Sequence, residues 1–390
     1  MTLLFAPVWF SQPHSPLSIP ALKSYSSRVH LARLRLRDFR NYARLDVDFA
    51  PGFHLLLGSN AQGKTNILEA VYLLATLRSF RGVGGAQMIR HGQKGYFAGG
   101  TVVTGQQDHE IKMYWAPRER KLALDGQPVR RLTDYFGVLR TVVFCTEDLQ
   151  LVKGAARVRR RFMDLLLAQT RPGYLPLLQR YLRAVRSRNA LLKCRSTDEG
   201  ALESFTIEVV QLGNQIMQAR RDLIPRVSPL ARLACRRIGH DAEELRVEYQ
   251  PSVKADFAVE LARLRERERA WRTTLIGPHR DDLQLLFNSQ SAAQFASEGQ
   301  KRTLAIALKM AQAEYLAGIH GSPPVLLIDD VMGELDARRR GGFLPLLERA
   351  HHASGQVFMT CTGENWPREL GRKLIRWQVD NGALRSLKEG

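Results

Sequence analysis

Eight consecutive residues near the start of the chain have the types and the spacing of a phosphate-binding loop. They are Gly58, Ser59, Asn60, Ala61, Gln62, Gly63, Lys64 and Thr65. In such a loop the backbone N–H groups wrap a phosphate, and glycine is needed because the chain turns very tightly. Lys64 would bring a positive charge to the terminal phosphates of a nucleotide, and the Thr65 hydroxyl would ligate Mg²⁺. The pattern therefore predicts a site for a nucleotide and Mg²⁺ at the start of a helix.

An apolar strand much later in the chain is followed by two adjacent acids. Residues 325–328 are apolar, and Asp329 and Asp330 come directly after them. Beside a phosphate loop, Asp329 would hold Mg²⁺ through water, and Asp330 would orient the attacking water as the catalytic residue. Lys64 and Asp329 are 265 positions apart, whereas a compact nucleotide-binding domain needs roughly one hundred residues. A large insertion must therefore separate the two halves of one site.

A third pattern precedes the helix predicted at residues 303–316. Ser297, Gly299 and Gln300 supply a hydroxyl, a flexible backbone and an amide just before the positive end of that helix. Such an arrangement binds anions, although on its own an ordinary serine helix cap with a flexible turn would be the better interpretation. Because the same chain carries the phosphate loop and the paired acids, we interpret it as a further part of the nucleotide site.

Hydrophobic periodicity indicates the elements that must position these residues. Strands are predicted at residues 34–37, 45–49, 53–57, 325–328 and 357–359, a hairpin turn at 122–126 and a helix at 66–77. Helical runs are predicted in the middle of the chain at residues 179–192 and 203–224, interrupted by Pro172, Pro176, Pro225 and Pro229.

The middle of the chain is also strongly basic. Residues 151–240 contain 18 Lys and Arg against 6 Asp and Glu, an excess that would repel itself without an anionic partner. We predict that arginines of this segment contact DNA phosphates. The candidates are Arg180, Arg183, Arg186 and Arg188. The alternative is a solvated helical surface, and residues 159–161, all arginine, could instead support the nucleotide or the fold.

The composition limits the classes of protein to which the chain can belong. Of its 390 residues, 44% are hydrophobic and 25% charged, which excludes bulk disorder and fibrous repeats and favours two or three domains. The 58 Lys and Arg against 38 Asp and Glu favour a polyanionic partner. No run of about 18 apolar residues exists, so no membrane span is expected. The four widely spaced cysteines are typical of reduced thiols in a cytoplasmic protein.

Together these patterns predict an α/β fold. A phosphate-loop core of mixed sheets would be split by an inserted, basic, mainly helical second lobe. The core would comprise residues 29–150 and 271–390, with the helical lobe at 151–270. Residues 1–28 contain no Asp or Glu, and we interpret them as an extension that is either disordered or the product of a start codon assigned too far upstream.

The three motifs resemble those of ATP-binding-cassette (ABC) ATPases: the phosphate loop, the Ser-x-Gly-Gln signature and the aspartate pair, with residues 333–336 at the place of the D-loop. Within that superfamily, five strings resemble the RecF family of bacterial recombination mediators. They lie at residues 60–70, 144–149, 159–164, 277–282 and 327–331. The resemblance runs in order from about residue 29 to the end of the chain.

The resemblance implies an ABC-type ATPase head that binds ATP and Mg²⁺, forms an ATP-dependent homodimer and hydrolyses ATP weakly, with stimulation by DNA. It implies binding to DNA at single-strand/double-strand junctions, with RecR and RecO as partners in loading recombinase at gaps during repair, replication and the SOS response. Ser297 would face the γ-phosphate held by the other subunit. Thr360 or Thr362 lies where transporters have a switch histidine, and Glu147 or Gln150 is a candidate for the Gln-loop residue.

Three other interpretations remain. A transporter ATPase subunit would have a switch histidine and no basic helical insertion. A chromosome-maintenance ATPase would need hundreds of heptad residues between its two halves. A scaffold that uses ATP only to hold a dimer together would not need the intact acids Asp329 and Asp330, and measurement of turnover separates it from an ATPase.

Overall fold

The computed structural model describes residues 29–105, 107–194, 198–239, 244–352, 355–362 and 374–387. The extension predicted at residues 1–28 lies outside these ranges. Within them, no helix is both long and apolar enough to cross a bilayer.

The first sheet is antiparallel and comes entirely from the amino-terminal part of the chain. Its strands are β1 (Val29–Phe39), β2 (Tyr42–Asp48), β4 (Tyr96–Thr104), β5 (Gln107–Ala116), β6 (Glu119–Leu124) and β7 (Gln127–Pro128), in the order 2-1-4-5-6-7. Alternating residues of β1 are buried, as period-two patterning predicts. The hairpin turn predicted at 122–126 is confirmed, because Asp125 and Gly126 both have positive φ and join β6 to β7.

The second sheet joins the two ends of the chain. It consists of β3 (Gly52–Leu57), β8 (Thr141–Phe144), β12 (Val325–Ile328), β13 (Gln356–Cys361), β14 (Leu374–Asp380) and β15 (Ala383–Leu387), in the order 15-14-3-13-12-8. Every pair is parallel except β14 with β15. Since β3 lies between β13 and β14, the amino-terminal half cannot complete this sheet alone. The split core predicted from the sequence is confirmed.

Eleven α-helices lie in the described ranges. They are α1 (Lys64–Thr76), α2 (Leu132–Tyr135), α3 (Gln150–Lys153), α4 (Ala156–Thr170), α5 (Tyr174–Lys193), α6 (Glu199–Ile238), α7 (Phe257–Arg263), α8 (Arg265–Trp271), α9 (Ala292–Phe295), α10 (Glu298–His320) and α11 (Ala337–His352). Helices α4 to α6 form most of the predicted helical lobe, and α10 is buried along most of its length.

The long helix α6 differs from the sequence-based expectation. The helical run was expected to end before Pro225, but α6 continues through Pro225 and Pro229 to Ile238. Each interior proline costs about 3 kcal/mol. Helix α6 packs against α10 and β9 (Leu245–Gln250), and the buried side chains of Val227 and Ala231 belong to the same hydrophobic core as these elements. Burial of the helix against its neighbours offsets the loss of backbone hydrogen bonds.

A small third sheet crosses the boundary predicted at residue 270. It has the order β11-β10-β9, with β10 at Asp282–Phe287 and β11 at Gln290–Ser291. Strand β9 precedes the boundary and β10 follows it, and the two pair over their full length. The division into 29–150, 151–270 and 271–390 remains a prediction, and the third sheet links the helical lobe to the carboxyl-terminal half.

Candidate nucleotide site and basic helical surface

The phosphate loop connects the buried strand β3 to the start of α1. Gly58 and Gly63 have φ of +150° and +114°, a region that only glycine adopts readily. The ammonium of Lys64 donates hydrogen bonds to the carbonyl oxygens of Gly58 (2.6 Å) and Ser59 (2.9 Å). The lysine therefore lies across its own loop, where its charge is available to a phosphate that the loop encloses.

Residues outside the phosphate loop also form hydrogen bonds to it. The sequence motifs did not reveal these contacts. Asn41 Nδ2 donates to the carbonyl oxygen of Gln62 (2.8 Å), and the Tyr42 hydroxyl donates to that of Gly63 (3.2 Å). The Gln62 side-chain oxygen accepts from the Asn381 N–H at 2.7 Å. In the sequence, residues 39–42 looked like a simple separator between two strands. Their polar and aromatic character was the one available signal of this role.

The two halves of the site meet at the carboxyl end of β12. The Thr65 hydroxyl donates a 2.8 Å hydrogen bond to Asp329 Oδ1. Burial raises the pKa of the Asp329 carboxyl, and hydrogen bonds from Thr65 and Thr360 act in the opposite direction. A hydroxyl oxygen and a carboxylate oxygen in contact are the ligands that Mg²⁺ prefers. The residues therefore fit the Mg²⁺ role that we predicted for Thr65 and Asp329.

Asp330 and Thr360 lie directly beside this pair. Asp330 is exposed and has φ of +55°, an unusual conformation for a residue other than glycine. Its N–H donates to the Thr360 hydroxyl at 3.0 Å, and that hydroxyl donates to Asp329 Oδ1 at 2.9 Å. Of the two threonines at the place of the switch histidine, Thr360 makes these contacts, whereas Thr362 is exposed beyond β13. Thr360 thus couples the end of β13 to both aspartates.

The signature residues form the cap of α10. Ser297 Oγ accepts from the Gln300 N–H (3.2 Å), and Gln300 Oε1 accepts from the Ser297 N–H (2.8 Å). This reciprocal capping box fixes Ser297, which is exposed, at the positive end of the helix. A Cβ at Gly299 would lie 3.5 Å from Arg339 Nη2. The cap is therefore observed, and the anion-binding role of the same residues stays a prediction.

The signature and the phosphate loop are not joined by polar bonds within one described chain. In the part of the chain that the structure describes, no hydrogen bond or ion pair joins residues 297–300 to residues 58–65. The candidate Gln-loop residues Glu147 and Gln150 follow β8, next to β12, and both are exposed. Their role stays a prediction.

The arginines of α5 divide into an exposed and a buried set. Arg180, Arg183 and Arg186 are exposed, and Arg180 pairs with Glu208 at 3.3 Å. Arg188 is only 2% exposed. Its guanidinium donates to the Thr206 hydroxyl, the Thr274 hydroxyl and the Glu268 carboxylate. The prediction that Arg188 contacts DNA was wrong, because α6 and the residues around α8 cover its side of the helix.

Residues 159–161 support the fold. Arg159 pairs with Asp282 at 2.7 Å, and Arg160 and Arg161 donate to the backbone carbonyl oxygens of Asp281 and Ser79. These contacts favour the alternative in which the arginines support the fold, since their guanidinium groups connect α4 to neighbouring elements.

The buried pair Arg188–Glu268 predicts a large difference between two arginines of one helix. Arg188→Gln should lower the free energy of unfolding by about 3–5 kcal/mol, because it leaves the fully buried Glu268 carboxylate without its cation. Arg183→Gln, on the exposed face of α5, should change it by less than about 0.5 kcal/mol. Urea unfolding followed by circular dichroism measures both. Equal effects of the two substitutions would contradict the assigned role of Arg188.

Comparison with known proteins agrees with this geometry. Residues 30–383 match the family described as RecF/RecN/SMC N terminal domain. The DNA replication and repair protein RecF of Symbiobacterium thermophilum is 38% identical over 371 residues, which cover 92% of this chain and 96% of that protein. The protein of the same name from Lactococcus lactis subsp. lactis is 36% identical over 91% of this chain and 99% of its own length.

Solved structures give the same result. One described as the recombination mediator protein RecF-ATP in the RecFOR pathway is similar with a TM-score of 0.85 at 27% identity, covering 94% of this chain and 99% of that one. An Smc head domain from Pyrococcus furiosus has a TM-score of 0.54 at 14% identity, which indicates a shared fold alone. The fold and the site thus define an ABC-type ATPase head of the class that includes RecF, RecN and SMC proteins. Within that class, the chain belongs to the RecF family.

Proposed function

We propose that the chain is an ATP-dependent DNA-binding protein of recombinational repair and replication restart. The observation that carries the proposal is the hydrogen bond between Thr65 and Asp329, because it joins a phosphate loop to a Mg²⁺ ligand from the distant part of the chain. The names of the relatives, DNA replication and repair protein RecF, and the RecF-ATP structure support it. A protein that acts on chromosomal DNA would do so in the cytoplasm, and this is the location that we propose for the chain.

In this proposal, two chains close over two ATP molecules. Each phosphate loop, with Lys64 and Thr65, binds the phosphates of one ATP, and Mg²⁺ beside Asp329 neutralises part of their charge. Ser297, at the exposed positive end of α10, faces the γ-phosphate held by the other chain. The lack of direct bonds between residues 297–300 and 58–65 within one chain supports a shared site. Sedimentation velocity with and without ATP, and then with gapped DNA, tests this assembly.

The dimer would bind DNA at junctions between single and double strands. It would help to load recombinase, together with RecR and RecO, the partners that the resemblance implied. Exposed Arg180, Arg183 and Arg186 on α5 supply cations for phosphate oxygens. The wider excess of 18 Lys and Arg over 6 Asp and Glu in residues 151–240 would draw DNA to the same lobe.

Hydrolysis depends on Asp330 in this proposal. Asp330→Asn should preserve ATP binding but lower the turnover number by roughly 100-fold or more, because an amide cannot orient and polarise the attacking water as a carboxylate does. ATP-dependent dimers should then accumulate. Single-turnover assays and sedimentation measure the two effects, with Glu348→Gln, at an exposed acid on α11, as the control. Turnover equal to wild type would favour a scaffold that uses ATP only to hold the dimer together.

The DNA contact can be tested by charge reversal on α5. Arg183→Glu/Arg186→Glu should weaken duplex binding at least tenfold and reduce the slope of log affinity against log salt by about 2, because two phosphate contacts are lost. Arg232→Glu/Arg246→Glu makes the same change in net charge at two exposed arginines beside Glu244. Fluorescence anisotropy at several salt concentrations compares the pairs. If both pairs weaken binding equally, net charge rather than the α5 surface explains the affinity.

A further inference from the structure

A cavity of about 370 Å³ lies on one face of the first sheet, away from the phosphate loop. Residues 77–88, which follow α1, cover part of it, and β4, β5 and β6 form its floor. None of residues 58–65 lines the cavity. It is therefore separate from the groups that hold the phosphates of ATP.

The floor of the cavity is aromatic. Tyr96 on β4 and Trp115 on β5 are directly paired residues, and their rings lie nearly parallel, 11° apart, with centroids 5.9 Å from each other. Arg120 on β6 is paired with Trp115 and places its guanidinium 5.7 Å from the centre of the indole. Three neighbouring strands therefore place two flat rings and one planar cation in a row, with both rings largely buried.

The segment above the floor approaches Trp115 only through glycine. A Cβ at Gly85 would lie 2.1 Å from the indole ring, whereas a Cβ at Gly82 would meet nothing within 4 Å. Any side chain at residue 85 would thus displace the segment from the ring. Gly85 therefore lies against the indole, and the open space of the cavity lies beside it, near Gly82.

The rim of the cavity is cationic. Four of its lining residues are basic, and no acid is among them. The four are Arg78, Arg120, Lys121 and Arg161. Lys121 also pairs with Glu119 outside the cavity, and Arg161 donates to the Ser79 carbonyl oxygen. A ligand that combines a flat ring with a negative charge would be complementary to both the aromatic floor and the cationic rim.

Among the described residues, the Tyr96 hydroxyl on the floor of the cavity has no hydrogen-bond partner. Tyr96 is 1% exposed, and in the described part of the chain its hydroxyl forms no hydrogen bond. An unpaired buried hydroxyl costs about 1–3 kcal/mol. A tyrosine hydroxyl is protonated at neutral pH even when exposed, and burial raises the pKa of Tyr96 further. A ligand with a hydrogen-bond acceptor at its ring edge would satisfy it.

We propose that this cavity binds an unstacked nucleobase, whose neighbouring phosphates contact the cationic rim. A base has the flat face, the edge acceptors and the attached phosphate that the floor, Tyr96 and the rim require. Because a base inside a duplex is stacked on both faces, the cavity selects single strands. The assignment of this base to a DNA strand rests on the DNA binding in the proposed function. In this arrangement the cavity in the ATPase lobe binds the single-stranded side of a junction, whereas α5 contacts the duplex.

The test uses the full chain with three ligands: fluorescent oligo(dT), a blunt duplex of equal length, and ATP. Trp115→Leu should weaken oligo(dT) binding roughly tenfold or more, while duplex and ATP affinities stay within twofold. Trp115→Phe, which keeps an aromatic face, should retain most of the affinity for oligo(dT). Equal binding of oligo(dT) by Trp115→Leu and wild type would overturn the proposal. A selective loss of ATP binding would also overturn it, since the cavity would then hold the adenine of ATP.

A second measurement does not depend on the folding of a variant. Oligonucleotides with 5-iodouracil, irradiated with the wild-type chain, should form crosslinks within peptides that contain Tyr96 or Trp115. Crosslinks found only on α5 or elsewhere would overturn the proposal. A wild-type chain that binds duplex but not oligo(dT) would refute the cavity assignment alone. A chain that binds neither DNA would refute the proposed function and this inference together.

Discussion

Lys64→Met protein is expected to lose tight ATP binding, with an affinity lower by roughly 100-fold or more. Lys64 is the cation within the phosphate loop, and its ammonium already lies against the carbonyl oxygens of Gly58 and Ser59. Methionine keeps most of the side-chain volume but removes the charge that compensates the phosphates. Isothermal titration calorimetry with ATP and Mg²⁺ measures the loss.

The control for this substitution is Lys121→Met, at a lysine that is 73% exposed on β6. It removes the same charge far along the chain from the loop and should leave ATP affinity unchanged. Both variants should unfold near the wild-type midpoint, because neither lysine has a buried ionic partner among the described residues. If Lys64→Met binds ATP as wild type does, the nucleotide site has been assigned to the wrong residues.

Ser297→Arg should bind ATP almost normally but fail to dimerise and fail to hydrolyse it. Its own phosphate loop is intact, whereas a bulky cation occupies the exposed end of α10 that would close over the partner's nucleotide. Gln290→Arg adds the same side chain at another exposed position and should dimerise normally. Sedimentation velocity with ATP and a turnover assay give the two readouts.

Mixing two inactive variants tests the shared site directly. In a heterodimer of Ser297→Arg and Lys64→Met chains, one composite site pairs an intact loop with an intact signature, and the other has both parts altered. An equal mixture should therefore recover part of wild-type turnover, at most about half, since a mixed dimer has one sound site of two and neither variant forms an active dimer with itself. Hydrolysis by the Ser297→Arg chain alone, as a monomer, would rule out the shared-site mechanism.

Much of the candidate site was predictable from the sequence because its chemistry is local. The phosphate loop needs glycine at fixed positions for backbone reasons, so Gly58 to Thr65 are recognisable without any fold. The strand before Asp329 is apolar because it is buried on both faces. The split core also followed from the sequence, since Lys64 and Asp329 stand too far apart for one uninterrupted domain.

The tertiary structure alone decided which residues meet and which face solvent. Arg183 and Arg188 belong to one helix and look equivalent in the sequence, yet the first is exposed and the second is buried against Glu268. The direction of a helical side chain is set by whatever covers that face, which residue type does not specify. Helix α6 continues through Pro225 for the same reason, because burial against its neighbours outweighs local propensity.

The cavity on the first sheet is the clearest case of this kind. Tyr96, Trp115 and Arg120 come from three separate strands, and nothing in their spacing along the chain indicates a common site. Strand register places them in one row, and Gly82, after α1, faces open space beside it. Sequence patterns report on contacts between near neighbours in the chain. Contacts between distant segments depend on how the sheets and helices pack, and only the folded chain determines them.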